Sequence, residues 1–386
     1  MGSQFFRMAA AATILAGMNT AAFAQNEVAP QSDPLPVAEP ATQTVPAADP
    51  FAIFVPTTDP IRHRIDYELW DFALKNLVIS MGPSTRQTAR PPSAVIGTRR
   101  RQGHNSRYRL EGSMLGFSFL DAEAIASFGE YRRELQEVAN TLDISALPRN
   151  EQLAFWLNFH NVALVEKIAE EWPIRQTRDI EVDGVPLDEA KFISIRGIDM
   201  SLRDIRERIV FANWRSPKVI YGFWRGEIGG PALDREAYTG GNVSSLLDAQ
   251  AADFVNSLRA TQKNGDTLEV STLYEDVALF YFPDFDSDIR AHIAQYAGED
   301  VTEILARTEL TRASIREWDI ADLAGGTRGA GYLAASRPGL SIGVAELLSQ
   351  RQRKFEIMRR RDVPTGRVIF SNIDLPGDPP NKNAVE

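Results

Sequence analysis

The chain has 386 residues, 44% of them hydrophobic, with a formal net charge of −10 and no cysteine. This length and composition predict one sizeable hydrophobic core with flanking tails, and the acidic balance argues against general nucleic-acid binding, which needs clustered Lys and Arg. The absence of cysteine excludes disulfides, thiolate metal sites and a thiol nucleophile.

Residues 1–24 have the pattern of an export signal. Arg7 is the only early charge, residues 8–18 are apolar or small, and residues 22–24 form an A-x-A cleavage site. No later apolar run reaches the ~20 residues that a membrane-spanning helix needs. We therefore expect a periplasmic or secreted protein without a transmembrane segment. The alternative is a buried N-terminal helix.

Residues 25–61 are rich in proline and contain no basic residue. Such a segment cannot bury enough apolar surface to order itself, which predicts a disordered linker. The folded domain is expected over residues 62–335, with a C-terminal helix and a disordered tail over residues 336–386. Its first helices are predicted at residues 65–77 and 122–140.

The most strongly patterned helix is predicted over residues 150–172. Asn150 is expected to be its N-cap, and Pro173 marks its end. Asn158, His160 and Asn161 fall on or beside its apolar stripe, where buried polar groups need partners.

His160 has three interpretations: a core histidine bound to asparagine, a general base or substrate contact, and a metal ligand. His63, His104 and His292 do not lie at ligand spacing from it or from each other. We therefore expect no metal site and no cofactor.

The next elements mix short strands with helices. A hairpin is predicted over residues 180–195, turning at Asp183-Gly184, and Ser201 with Asp204 matches a capping box at the start of a helix. An apolar run at residues 219–224, which includes Tyr221, predicts a buried strand. Further on, we expect a helix from about residue 242, a strand at 267–270 and two more helices. The strands cluster instead of alternating with helices, which predicts a helix-rich α+β fold with a small sheet.

The apolar run at residues 219–224 leads into residues 226–231, which we call the glycine turn. Arg225 and Glu227 flank its first glycine and are either a loop ion pair or part of a site. Gly229 and Gly230 can bring backbone amides close to a ligand, although they also suit a turn with no ligand. The pattern is not a dinucleotide fingerprint, because Pro231 follows the glycines in place of a helix.

Several segments together resemble one protein family. NEQLAFWLNFHNVALVEKI, SLRDIRERI, the run before GGPAL, AYTGGNVSSLLDAQAADFV and STLYEDVALFYFPDF are similar to the bacterial and plant domain of unknown function 547. The resemblance implies a distant relation to papain- or transglutaminase-like thiol folds, because the family usually carries a histidine in the strand and cysteines in the turn. Here Ile220 stands at the histidine position, and Arg225 and Gly230 stand at the cysteine positions. A thiol mechanism therefore cannot be carried over.

Two functional interpretations remain. In the first, the domain is a degenerate relative of a thiol enzyme that binds an envelope peptide, glycan or protein partner. In the second, it is a hydrolase that acts on an envelope peptide or glycan with a non-cysteine acid and base, for which His160, Arg225 and Glu227 are the catalytic candidates. Neither interpretation fixes the oligomeric state. The candidate ligand-binding residues are Asn158, Asn161, Tyr221, Gly229, Gly230, Asp234 and Tyr238.

Overall fold

The structure, a computed structural model, describes residues 49–57, 63–90, 104–328, 341–363 and 384–386. All of these belong to one compact unit, Ala48–Glu386. The expected export signal and most of the proline-rich segment lie outside the described residues.

The described part of the proline-rich segment is folded. Pro50–Phe54 forms a 3-10 helix, and Phe51 and Phe54 are both buried. The ring of Phe54 packs edge-on against Trp156 at 5.3 Å between centroids. Because two aromatic anchors offset the cost of ordering this short stretch, the folded part begins before residue 62, earlier than expected.

Helices make up most of the described fold. They are α1 (Glu68–Leu77), α2 (Ala122–Thr141), α3 (Arg149–Glu171), α4 (Leu202–Asp204), α5 (Phe211–Asn213), α6 (Val243–Val255), α7 (Thr272–Asp276), α8 (Ala278–Tyr281), α9 (Phe285–Tyr296), α10 (Glu299–Ala306) and α11 (Ile342–Arg360). A π-helical segment, Ile205–Val210, joins α4 to α5 without a break. Among the residues described, none of the helices has the length and apolar character needed to cross a membrane.

The sheets are small. Three antiparallel pairs are formed by β1 (Val78–Ser80) with β2 (Ser113–Leu115), β3 (Glu181–Val182) with β4 (Val185–Pro186), and β5 (Ile193–Ile195) with β6 (Ile198–Met200). The largest sheet has the order β7 (Thr261–Asn264), β8 (Thr267–Ser271), β9 (Leu310–Ile315), with β8 antiparallel to β7 and parallel to β9. The fold is therefore α+β, as predicted.

The core is built around α3. Every residue from Glu151 to Glu166 is buried, and α3 contacts α2, α6 and the α4–π–α5 segment. Over these residues the helix is therefore enclosed on all sides, and its burial extends well beyond the predicted stripe. Pro148 occupies the N-cap position, so Asn150, expected there, lies in the first turn of the helix.

The predicted buried strand at residues 219–224 is wrong. Pro217–Gly222 forms a 3-10 helix, with Pro217 at its first position, where its fixed φ suits a helical turn. A short apolar run bounded by proline and glycine does not distinguish a strand from a buried helical turn. Gly222 lies so close to α3 that a Cβ on it would be 2.7 Å from Leu157.

The predicted hairpin over residues 180–195 is two hairpins. β3 and β4 turn at Asp183-Gly184, as predicted, while β5 and β6 turn at Arg196-Gly197. Both residues of each turn have positive φ, which matches the type I′ geometry of two-residue hairpins. The capping box at Ser201 and Asp204 is confirmed.

The C-terminal helix α11 begins after Ser341, whose side chain caps it. Val344, Leu347 and Met358 are buried, so the helix packs on the domain. Much of the expected tail lies outside the described residues. Val385 is described and buried, and its amide donates to Asn150 Oδ1 at 2.8 Å.

Candidate binding cleft

A cleft of about 490 Å³ opens beside the glycine turn. It is lined by residues from the segments 177–178, 186–189, 202–206, 224–230, 271–276 and 315–318. These segments are distant in sequence, so only the folded chain brings them together. The cleft contains acidic and basic side chains as well as the apolar Leu164, Leu187 and Trp224.

The glycine turn is fixed by backbone hydrogen bonds to the segment 317–321. The amides of Ile228 and Gly229 donate to the carbonyls of Asp319 and Glu317, both at 2.9 Å. Gly229 must be glycine for this approach, because a Cβ there would lie 2.5 Å from the Glu317 carbonyl oxygen. The Gly229 amide is therefore used within the protein and is not available to a ligand.

A buried arginine holds the glycine turn from the other side. Arg259 Nη1 donates to the carbonyl oxygen of Gly230 at 2.7 Å and to that of Ile228 at 3.3 Å. Arg259 Nη2 contacts Asp253 at 3.4 Å. The turn is thus rigidly placed at the edge of the cleft.

Arg225 and Glu227 both line the cleft, but they do not pair with each other. Arg225 Nη1 binds Asp276 Oδ2 at 2.8 Å, while the half-buried Glu227 side chain has no hydrogen bond or ion pair with any described residue. Burial raises the pKa of Glu227 to about 7, against the opposing effect of Arg225 and Arg178. A carboxyl group of this kind can donate or accept a proton near neutral pH.

His160 lies beneath the cleft and does not line it. It is fully buried, and Arg206 Nη1 donates to its Nε2 at 3.1 Å. Arg206 Nη2 binds Asp188 Oδ2 at 2.7 Å, so one guanidinium joins the buried imidazole to a carboxylate in the cleft wall. Arg206 is the second residue of the π-helical segment, a local geometry found often at functional sites.

These contacts determine the proton positions. An arginine only donates, so Nε2 of His160 accepts and its proton lies on Nδ1, facing Asn161 Oδ1 at 3.2 Å. Burial, with Arg206, lowers the pKa of His160 to about 3. Burial would raise the pKa of Asp188, but Arg206 outweighs it and holds that pKa below its usual range. His160 is therefore neutral and Asp188 ionised at neutral pH.

Two candidate ligand-binding asparagines have structural partners in the core. Asn158 exchanges hydrogen bonds with the backbone of Tyr238, at 2.7 and 3.0 Å. Asn161 Nδ2 donates to the carbonyl of Gly222 at 2.9 Å, and its Oδ1 accepts from the amide of Trp224 at 3.1 Å. These two side chains fix the path of the chain into and out of the glycine turn.

The remaining candidates separate into two groups. Gly229 and Gly230 line the cleft with Arg225 and Glu227. Tyr221 is buried away from it, where its hydroxyl contacts His292 Nε2 at 2.7 Å and Tyr274 at 3.1 Å. Tyr238 is buried and binds Gln250, and Asp234 accepts from the backbone amides that follow it.

Several cleft residues were not recognised from the sequence: Asp188, Arg178, Arg206, Asp276 and Trp318. Of these, Arg206 lies in SLRDIRERI and Asp276 in STLYEDVALFYFPDF, two segments that carry the family resemblance, and this is the available signal. The others lie at the ends of short elements or in loops, where no periodicity marks them. Among the described residues, no three His, Asp or Glu side chains are grouped so that they could hold a metal ion.

Comparisons with known proteins support the resemblance seen in the sequence. Residues 144–255 match the family model described as "Protein of unknown function, DUF547". The searches of curated proteins and of solved structures returned no match. The relation to papain- or transglutaminase-like folds therefore stays a prediction. The matched segment contains α3, the π-helical segment and the glycine turn, so this part of the chain is similar to the domain of unknown function 547 family.

Proposed function

We propose that the cleft binds a short peptide or a peptide-bearing component of the cell envelope. The carrying observation is the cleft itself, whose volume of about 490 Å³ lies within the range of roughly 300–1,000 Å³ typical of small-ligand sites. Charges of both signs line it beside apolar walls. A peptide presents the matching groups, because it combines polar amides, charged termini and apolar side chains.

Two further observations support binding over thiol chemistry in an envelope protein. Ile220, Arg225 and Gly230 stand at the positions where the family resemblance implies a histidine and cysteines, and Ile220 is buried in the 3-10 helix. The export-signal pattern of residues 1–24 supports a periplasmic or secreted location. We therefore propose an exported binding domain.

Gly230 offers a direct test of the cleft. A Cβ on Gly230 would meet its nearest neighbours, Arg225 Cβ and Glu227 Cγ, at 3.6 Å, an ordinary contact. We expect a Gly230→Leu side chain to extend into the cleft that Gly230 lines, and Gly230→Ala is the matched control. We expect a library of random tripeptides to be retained by the wild type and the alanine variant in affinity selection read by mass spectrometry, and lost with leucine.

Two outcomes of this selection would contradict the proposal. Retention that is unchanged in Gly230→Leu places binding elsewhere and contradicts the proposal. No retention by the wild type at millimolar peptide also contradicts it. Circular dichroism of both variants checks that the fold is intact.

The hydrolase remains a second candidate, because one cleft holds two carboxyl groups with opposite pKa shifts. Glu227 is protonated up to about pH 7 while Asp188 stays ionised, the division of roles that acid and base catalysis requires. If Glu227 is the general acid, peptide cleavage slows as pH rises through about 7 and is lost in Glu227→Gln. The exposed Glu309→Gln is the control.

Cleavage is measured by mass spectrometry of the incubated library from about pH 5 to about pH 8. Equal cleavage by Glu227→Gln and Glu309→Gln would exclude this role for Glu227. The absence of any cleavage would leave binding as the function of the cleft.

A further inference from the structure

One wall of the cleft carries an aromatic ring flanked by two arginines. The guanidinium carbon of Arg178 lies 3.6 Å from the centroid of the Trp318 ring, and that of Arg316 lies 5.6 Å from it. All three residues line the cleft. Arg178 follows the end of α3 and Trp318 follows β9, so the stack joins two distant parts of the chain.

These two arginines differ from the other cations of the cleft. Arg203 binds Asp188 and Glu189, Arg206 binds Asp188, and Arg225 binds Asp276. By contrast, the guanidinium groups of Arg178 and Arg316 make no hydrogen bond or ion pair with any residue in the described parts of the chain.

Stacking on Trp318 lowers the entropy cost of binding a ligand through Arg178. Contact with the indole face restricts the side chain while its N–H groups stay free, so less rotamer entropy is lost when they bind. A planar guanidinium matches a carboxylate with two parallel hydrogen bonds. Glu317, which lies between Arg316 and Trp318 in the sequence, is already engaged, because its Oε2 accepts from Ser106 Oγ at 2.7 Å.

We propose that Arg178 and Arg316, arranged about Trp318, bind a free carboxylate of the ligand, so that the cleft selects peptides through a carboxyl terminus. This inference rests on the proposed function and adds which end of the peptide the cleft recognises. Glu227 lies in the same cleft and receives the polar part of the peptide. The apolar wall at Leu187 and Trp224 receives its side chains.

The test compares two N-acetylated tripeptide libraries built without Asp and Glu, one with free carboxyl termini and one with carboxyl-terminal amides. We expect the wild type to retain the free acids about tenfold better, the effect of a charge-assisted hydrogen bond at an exposed site. Arg178→Gln should remove this preference. Arg312→Gln removes the same charge from an exposed position on β9 outside the cleft and should keep it.

Equal retention of acids and amides by the wild type overturns the carboxylate assignment and leaves the peptide-binding cleft intact. No retention of either library overturns the proposed function and, with it, this inference. Inorganic phosphate tests a second kind of anion that a guanidinium binds. Phosphate binding that depends on Arg178, without any preference for acids over amides, also overturns the assignment.

Discussion

At the scale of single residues, His160 shows how its contacts limit its chemistry. A histidine that acts as a general base needs a free lone pair on a ring nitrogen that reaches the substrate. The Nε2 lone pair of His160 accepts from Arg206, and its Nδ1 proton faces Asn161. In this arrangement His160 orients Arg206, and through it Asp188, and does not itself take a proton.

This arrangement predicts the behaviour of the imidazole in solution. Long-range ¹⁵N–¹H spectra should show a neutral ring protonated on Nδ1 at pH 7, with no titration as the pH falls to about 5, because the folded pKa is about 3. The unfolded ring titrates near 6.5. His160 therefore contributes stability that is present above pH 6.5 and is lost as pH falls through the folded pKa.

A His160 signal that titrates near 6.5, or a proton found on Nε2, would show that the bond to Arg206 is absent. That result would support the interpretation of His160 as a general base.

At the scale of elements, a buried cation is one of the contacts that attach α11 to the domain. Lys354 Nζ donates to the carbonyl oxygens of Leu110 at 2.7 Å, Met81 at 2.9 Å and Gly82 at 3.3 Å. These carbonyls flank β1 and β2, so the lysine ties the C-terminal helix to that strand pair. The contact is polar, although the helix also buries Val344 and Leu347.

Replacing this lysine should loosen α11. Lys354→Met keeps most of the apolar stem but leaves three buried carbonyls without their donor, so the free energy of unfolding should fall by about 1–3 kcal/mol. Arg353→Met removes the same charge from the exposed neighbouring position and should change it little. Urea unfolding followed by circular dichroism measures both. Equal effects would mean that net charge, not the three hydrogen bonds, sets the difference.

The elements also show what periodicity can and cannot predict. The long helix α3 and the capping box at Ser201 were found because each has a repeated or paired local signal. The run before the glycine turn was assigned as a strand because all of its side chains are apolar, and such a run is compatible with burial in either conformation. In the fold, the helical turn at Gly222 packs closely against α3. No local pattern in the sequence predicts this tertiary contact.

At the scale of the whole molecule, the α+β class followed from the order of elements, whereas the cleft did not follow from the sequence. Arg225, Glu227, Gly229 and Gly230 were found because they share one short turn. Their partners come from other segments: Asp276 ends α7, and Glu317 follows β9. Such pairings depend on how segments that are distant in sequence meet in the fold, and no local sequence pattern predicts them.

The cleft combines residues from inside and outside the matched segment. Residues 144–255 supply Arg178 and Arg225, while residues 271–276 and 315–318, outside that segment, supply Asp276 and Trp318. A fragment limited to the matched segment would therefore carry Arg178 without the indole ring on which it stacks, and Arg225 without its ion-pair partner.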